Sequence, residues 1–373
     1  MKILFLSYIP ISLRDGQVRT VAILRTLADA GYNIDLIAPH VDLPAHRNIH
    51  PITRKENSPN TLHDIHALAT RHAKNENYVA IHAIDESIFF SYRLSRRRKI
   101  PLVYDAHRRF TGKSGRGTLR RYRFFPTYFT KREKTILEYA ACIFSLCPQL
   151  TTDLKTLCHN LTTIVEIKDI PLQPLCTKNE SDRSEMCTLF QAQPISTIVT
   201  CYALSKKSLR NLMLTVRKVV DTLPKTGFFL QTTHPVQAKK LADSLGISDH
   251  CQFLKPDDPL PLISALSIAN VVLYIPPEKN RYIPQSLYTA LNTSAPLVAI
   301  QHKAYQSFLS QQTARFVLPN SDAMTEGLLH ILREPLFSVS IATEGQKLVR
   351  AEHTFSSFKH KIRMAYKKCT QPN

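Results

Sequence analysis

The chain has 373 residues, too long for one ordinary hydrophobic core and suited to two domains of roughly 150–200 residues. Its 43% hydrophobic content excludes a disordered or fibrous chain, and no apolar run reaches the roughly 20 residues that span a bilayer, so any membrane contact is expected to be peripheral. With 49 basic against 29 acidic residues the net charge is +20, which points to anionic partners: lipid headgroups, nucleic acid or an acidic substrate.

In chain order, Lys2–Ser7 reads as a buried strand rather than the core of a signal peptide, because no small-residue cleavage site follows it. Arg14-Asp15-Gly16 makes a turn, Gln17–Ala30 repeats apolar residues at helical spacing, Gly31 stops that helix, and Ile34–Ala38 is the next strand. This is a βαβ crossover. It lacks Gly-x-Gly-x-x-Gly, which argues against a nicotinamide-type dinucleotide site. The alternation continues through a helix at Asn60–His72, a strand at Tyr78–His82, a helix at Ser87–Arg97 and a strand at Leu102–Asp105. After a long loop come a helix near Glu133–Ala140, a strand at Cys142–Leu146, a helix at Pro148–Cys158 and a strand at Thr162–Ile167.

Pro171–Pro194 is charged, proline-bearing and aperiodic, as expected of a linker. A second alternation follows. Strands are expected at Thr197–Cys201, Gly227–Gln231, His250–Leu254, Val271–Ile275, Leu297–Ile300 and Arg315–Leu318. Helices are expected at Leu209–Leu223, Pro235–Leu245, Pro259–Ala269, Ser286–Asn292, Ala304–Leu309, Ala323–Leu332, Gly345–Glu352 and Ser356–Lys368. The pattern divides into domains at 1–170 and 195–350, a linker at 171–194 and a closing helix at 351–373. Two such α/β halves are expected to leave a cleft between the C-terminal edges of their sheets. The eight cysteines show neither Cys-x-x-Cys nor zinc spacing and read as reduced thiols of a cytoplasmic protein.

Within Val271–Ile300 a buried strand leads through a loop into a helix whose free N–H groups and dipole make an anion site near Gln285-Ser286. Anchored on Pro296, the run Thr289-Ala290-Leu291-Asn292-Thr293-Ser294-Ala295-Pro296-Leu297-Val298-Ala299 resembles the signature of retaining family 4 GT-B glycosyltransferases. In that frame Thr289 stands at the family's second glutamate, Arg281 at the first and Ser294 at the helix-end glycine. Pro101 to His107 resembles the family segment in which a strand ends in histidine, and Glu133 to Cys147 resembles its next helix-strand unit. The resemblance implies an α/β GT-B fold of two Rossmann-like domains and transfer of a hexose from a nucleotide-diphosphate sugar with retention of configuration.

It also implies roles. Gly16 stands at the glycine-rich loop beside the donor phosphates, His107 at the histidine that contacts the transferred sugar, Lys207 at a phosphate-binding lysine, and Thr289 at the ribose-binding position. Position alone also favours His107, since a neutral imidazole where a strand opens onto a cleft hydrogen-bonds sugar hydroxyls; a plain structural histidine is the alternative. A departing diphosphate needs preorganised cations and N–H dipoles. Lys206, Arg210 and Arg281 are close enough in sequence to supply charge beside Lys207, with Gln285, Ser286 and Thr289 as further donor-binding positions. Each of these cations alone is also what an ordinary surface carries. No metal or cofactor is expected; the nucleotide sugar is substrate. Asp257-Asp258 precede a helix in a proline-rich turn and read as capping residues.

Most of the charge is local: Arg93–Lys134 holds 15 Lys/Arg against Asp105 and Glu133. Arg108, Arg109, Arg120, Arg121, Arg123, Phe124 and Phe125 mix cations with aromatics, a composition for an acceptor or anionic membrane surface at the cytoplasmic face of the inner membrane. A solvated helix face and a loop with buried aromatics are the plain alternatives. The same mixture can stack on single-stranded nucleic acid, but no nucleic-acid motif accompanies it. The function expected is transfer to a lipid-linked or membrane-proximal glycan. Its rivals are a catalytically inactive binding or scaffold protein that kept the fold, and a nucleic-acid binder.

Overall fold

The structure is a computed structural model of the whole chain. It describes residues 1–12, 18–54, 59–110, 126–158, 164–171, 186, 188–190, 194–201, 206–255, 259–276, 282–306 and 308–370. The chain forms two compact units, Met1–Asp169 with Phe355–Asn373, and Ile170–Thr354. The closing helix therefore groups with the first unit.

The first unit runs β1 (Lys2–Leu6), β2 (Ile11–Ser12), α1 (Val18–Asp29), β3 (Asn33–Ile37), β4 (Val41–Asp42), β5 (Ile49–Pro51), α2 (Leu62–Asn75), β6 (Tyr78–Ile84), α3 (Ile88–Arg98), β7 (Leu102–Ala106), α4 (Pro126–Tyr139), β8 (Cys142–Ser145), α5 (Pro148–Leu157) and β9 (Ile164–Glu166). Seven of these strands form one parallel sheet in the order β5-β3-β1-β6-β7-β8-β9. Winding reverses between β1 and β6. Ile3, Leu4, Phe5 and Leu6 are all fully buried, as an unbroken apolar run requires when helices cover both faces of a sheet. Gly31 takes φ +87 after α1, the left-handed turn that lets the chain double back into β3. Thr61 and Asp64 close a reciprocal capping box at the start of α2.

The second unit contains β10 (Ser196–Cys201), α6 (Lys206–Thr222), β11 (Thr226–Gln231), α7 (Pro235–Ser244), β12 (Cys251–Leu254), α8 (Pro259–Ile268), β13 (Val271–Tyr274), α9 (Gln285–Leu291), β14 (Leu297–Ile300), β15 (Arg315–Val317), α10 (Ser321–Arg333) and α11 (Pro335–Glu352). The last helix of the chain, α12 (Phe355–Thr370), belongs to the first unit. The six strands are parallel in the order β12-β11-β10-β13-β14-β15, reversing between β10 and β13. Side chains alternate between two cores. Val271 and Leu273 enter one with α6 and α10, and Val272 and Tyr274 enter the other with α9.

Three local expectations change. Of the expected 304–309 helix, Ala304 and Tyr305 are the described residues that are helical, in a 3-10 turn at Lys303–Tyr305. α4 begins at Pro126 and α11 at Pro335, each with proline at a helix start, where its missing N–H costs nothing. Most of the expected linker lies outside the described residues.

Candidate active site

In a parallel doubly wound sheet the ligand edge is the carboxyl end of the strands, at the reversal of winding. In the first unit that edge gathers an ionic cluster. β6 delivers Asp85 and Glu86, β7 delivers His107 to Phe110, α1 delivers Arg19, and the segment after β9 delivers Asp169.

Its centre is Asp105, fully buried in β7. Arg19, itself 6% exposed, donates to Asp105 Oδ1 from Nη2 at 3.0 Å, and from Nη1 to Asp169 Oδ1 at 2.9 Å and to the Ile167 carbonyl at 2.7 Å. His107 Nε2 donates to Asp105 Oδ2 at 3.1 Å. The other ring nitrogen lies 3.5 Å from Asp85 Oδ2, and the His107 backbone N–H donates to Asp85 Oδ1 at 3.3 Å. Burial works against charge on Asp105, but Arg19 and then His107 outweigh it and hold the carboxyl well below the usual range. Burial likewise opposes protonation of His107, yet Asp105 and Asp85 push its pKa up to about 10. Against the expected neutral imidazole, the two carboxylates favour the protonated ring, with Nε2–H donating to Asp105 and Nδ1–H facing Asp85. Nδ1–H, beyond ordinary hydrogen-bond length from Asp85, is the looser of the two.

Beneath the cluster, His82 is fully buried in β6, stacked on Phe5 at 4.3 Å, with Nδ1 2.6 Å from the Tyr366 hydroxyl of α12. Burial pushes its pKa down to about 4. Arg108 donates to buried Glu86 at 2.8 Å, and Arg109 lies 4.0 Å from buried Glu133, so both are tied to the fold at this edge. Arg120, Arg121, Arg123, Phe124 and Phe125 lie outside the described residues, as does Gly16. Nearby in sequence, Arg93, Arg96 and Arg97 of α3, Lys99 at its C-terminal cap, and Lys131 and Lys134 of α4 are exposed, and Arg132 of α4 lies over Tyr128.

In the second unit, α6 begins at Lys206, with Lys207 in its first turn. Only their backbone is described. Arg210 is exposed one turn on. A cavity of about 290 Å³ opens between this helix start and the carboxyl ends of β13 and β14, lined in part by Ser208, Asn211, Ile275, Gln301, His302 and Met324. Arg281 lies outside the described residues, as do Glu278, Asp257 and Asp258. Pro284 caps α9 from an extended conformation, one position before the helix. Gln285 Nε2 donates to the Ile170 carbonyl at 2.8 Å, Ser286 Oγ is buried with no hydrogen-bond partner among the described residues, and Thr289 is fully buried, donating to the Gln285 carbonyl at 3.1 Å.

Residues 16–164 match the family model described as Glycosyltransferase Family 4. Over nearly its whole length the chain superimposes on sucrose-phosphate synthase of Thermosynechococcus elongatus, with TM-score 0.70, 15% identity and 98% of each chain covered. A glycosyltransferase of Rickettsia africae matches with TM-score 0.70 and 13% identity over 100% of this chain and 99% of that one. Anabaena HepE in complex with UDP-glucose matches with TM-score 0.68 and 13% identity over 98% of each chain. The fold is GT-B. Comparison with curated proteins returned no match.

Arg19, Asp85 and Asp169 escape sequence reasoning although the first two leave a trace. Arg19 interrupts the apolar Val18–Leu24 stripe, and Asp85-Glu86 close an otherwise buried strand at the end where GT-B and other doubly wound sheets bind ligands. Among the described residues no group of three or more His, Cys, Asp or Glu side chains is arranged to hold a metal ion.

Proposed function

We propose that the protein is a retaining glycosyltransferase that moves a hexose from a nucleotide-diphosphate sugar to a lipid-linked or membrane-proximal glycan. The observation that carries this reading is His107 at the carboxyl edge of a GT-B sheet, its ring nitrogens 3.1 Å from Asp105 Oδ2 and 3.5 Å from Asp85 Oδ2. In the reaction the bond between the anomeric carbon and the phosphate oxygen breaks, and the electron pair leaves with the nucleotide. The acceptor hydroxyl forms the new bond on the same face and passes its proton to the leaving phosphate.

On the first unit, His107 offers a hydrogen-bond donor and positive charge to the sugar and the adjoining phosphate. On the second, Lys207 with Arg210 or Arg281, and the N–H groups at the starts of α6 and α9, meet the diphosphate; the cavity beside α6 supports this assignment. Thr289 and Gln285 shape the helix there by their hydrogen bonds to backbone carbonyls. The Anabaena HepE complex makes UDP-glucose the first donor to try. The exposed cations of α3 and α4 support attachment to an anionic membrane, where each basic residue contributes about 1 kcal/mol. No described helix is long and apolar enough to cross one.

Lys207→Ala combined with Arg281→Ala is expected to slow sugar transfer by a factor of a hundred or more while leaving the circular-dichroism spectrum and melting temperature unchanged. Undiminished turnover in that double variant refutes the phosphate assignment.

A further inference from the structure

Asp85 stands apart from the other carboxylates of the cluster. Its backbone takes φ +44, one of two positive values outside glycine among the described residues. L-residues avoid this region, and Asp tolerates it better than most. The conformation is held from both sides. Ser87 Oγ accepts from the Ile84 N–H at 3.0 Å and lies within 2.9 Å of the Leu6 and 2.8 Å of the Ile84 carbonyls, pinning the turn after β6 to the end of β1. Strain that the surroundings enforce in this way gathers where a side chain must be aimed at a ligand.

The carboxylate it aims is under-used. Asp105 is fully buried and taken up by Arg19 and His107, whereas Asp85 keeps a side-chain exposure of 12% and, among the described residues, its carboxylate makes two long contacts, 3.3 and 3.5 Å, both to His107. An ionised carboxylate has about four acceptor sites. Among the described residues two are engaged, beside a His107 ring whose Nδ1 lies 3.5 Å away. An acceptor-only group next to a donor-only group is what a sugar hydroxyl needs, because each hydroxyl both donates and accepts.

We infer that Asp85 is a substrate-contacting residue, accepting a hydrogen bond from a hydroxyl of the hexose while His107 Nδ1–H turns to donate to the same sugar or its phosphate. This rests on the donor reading above and adds the residue that recognises the sugar itself. Left-handed backbone makes the test clean, since asparagine and glycine are the residues that best tolerate it.

The experiment compares wild type, Asp85→Asn and Asp85→Gly by melting temperature alone, with UDP and with UDP-glucose, and by UDP release from UDP-glucose. Both variants are expected to stay folded with a cooperative melt, to keep the shift given by UDP, and to lose the additional shift given by the glucose moiety. Their turnover should fall by at least tenfold. A purely structural Asp85 predicts the glucose-dependent shift and the turnover intact whatever the melting temperature of the variants, and that result overturns the inference. If wild type itself binds neither UDP nor UDP-glucose and turns nothing over, the UDP-sugar reading fails and the role of Asp85 falls with it. Loss of the sugar increment in Asp85→Asn alone against a responsive wild type can come only from Asp85.

Discussion

Arg19 sets the electrostatics of the first unit at the level of a single guanidinium. Two carboxylates and a carbonyl consume its donors in a buried site, and removing it leaves Asp105 charged and partly unpaired in the interior. Arg19→Met is therefore expected to cost about 3–5 kcal/mol, read as a lower denaturation midpoint in urea; a loss below about 1 kcal/mol contradicts the arrangement. His107 gives a second test. Because its folded pKa of about 10 exceeds the ~6.5 of free imidazole, its contribution to stability is complete below pH ~6.5 and is lost as pH rises through about 10. Its ring resonances in NMR should not titrate between pH 5 and 8, and a midpoint near 6.5 would count against the two-carboxylate clamp. His82 has the opposite sign. Its pKa of about 4 means that the unfolded chain binds the proton first, so stability drops as pH falls from ~6.5 to about 4, by about 3 kcal/mol at 1.36 kcal/mol per unit. His82→Phe, which keeps the stack on Phe5, should flatten that part of the pH–stability curve relative to wild type.

At the scale of elements, strands and long helices were legible because apolar period and stop signals agree. Val271–Leu273 and Leu297–Ile300 are unbroken β-branched and aliphatic runs, and Gly31 ends α1 with the positive φ its position suggests. Short pieces were not legible. β2 and β4 are two-residue pairings set by tertiary contact, and the start of α4 lies among cations and aromatics that mask a helical period. The site was half legible. His107 announces itself at a strand end, whereas its raised pKa comes from Asp105 and then from Asp85, which follows another strand and has no sequence signature beyond an acid after an apolar run. Close packing of α10 on β15 offers a test of the second unit. A Cβ at Gly327 would stand 2.5 Å from Val317 Cγ1. Gly327→Ala is expected to destabilise by about 1–3 kcal/mol, and Val317→Ala should recover part of that loss in the double variant; two additive losses would contradict the contact.

For the whole molecule, a GT-B fold and a net charge of +20 make separate demands. The proposed nucleotide-sugar substrate rests on the fold and the sites above, and the proposed anionic surface rests on the exposed cations of α3 and α4. Vesicles containing anionic lipid are expected to retain the protein at low salt and release it as screening shortens the Debye length toward 3 Å at 1 M, with Arg93, Arg96 and Arg97 changed together to Glu binding at least tenfold more weakly. Equal binding to neutral vesicles would detach the charge from that role. The central claim is hexose transfer with retention, and its most direct measurement is proton NMR of the anomeric region while the protein is incubated with UDP-, GDP- or ADP-linked hexoses and a membrane lipid extract. The account predicts consumption of one α-linked donor with an α-linked glycan product. A β-linked product, or no donor consumed at millimolar concentration, would contradict it.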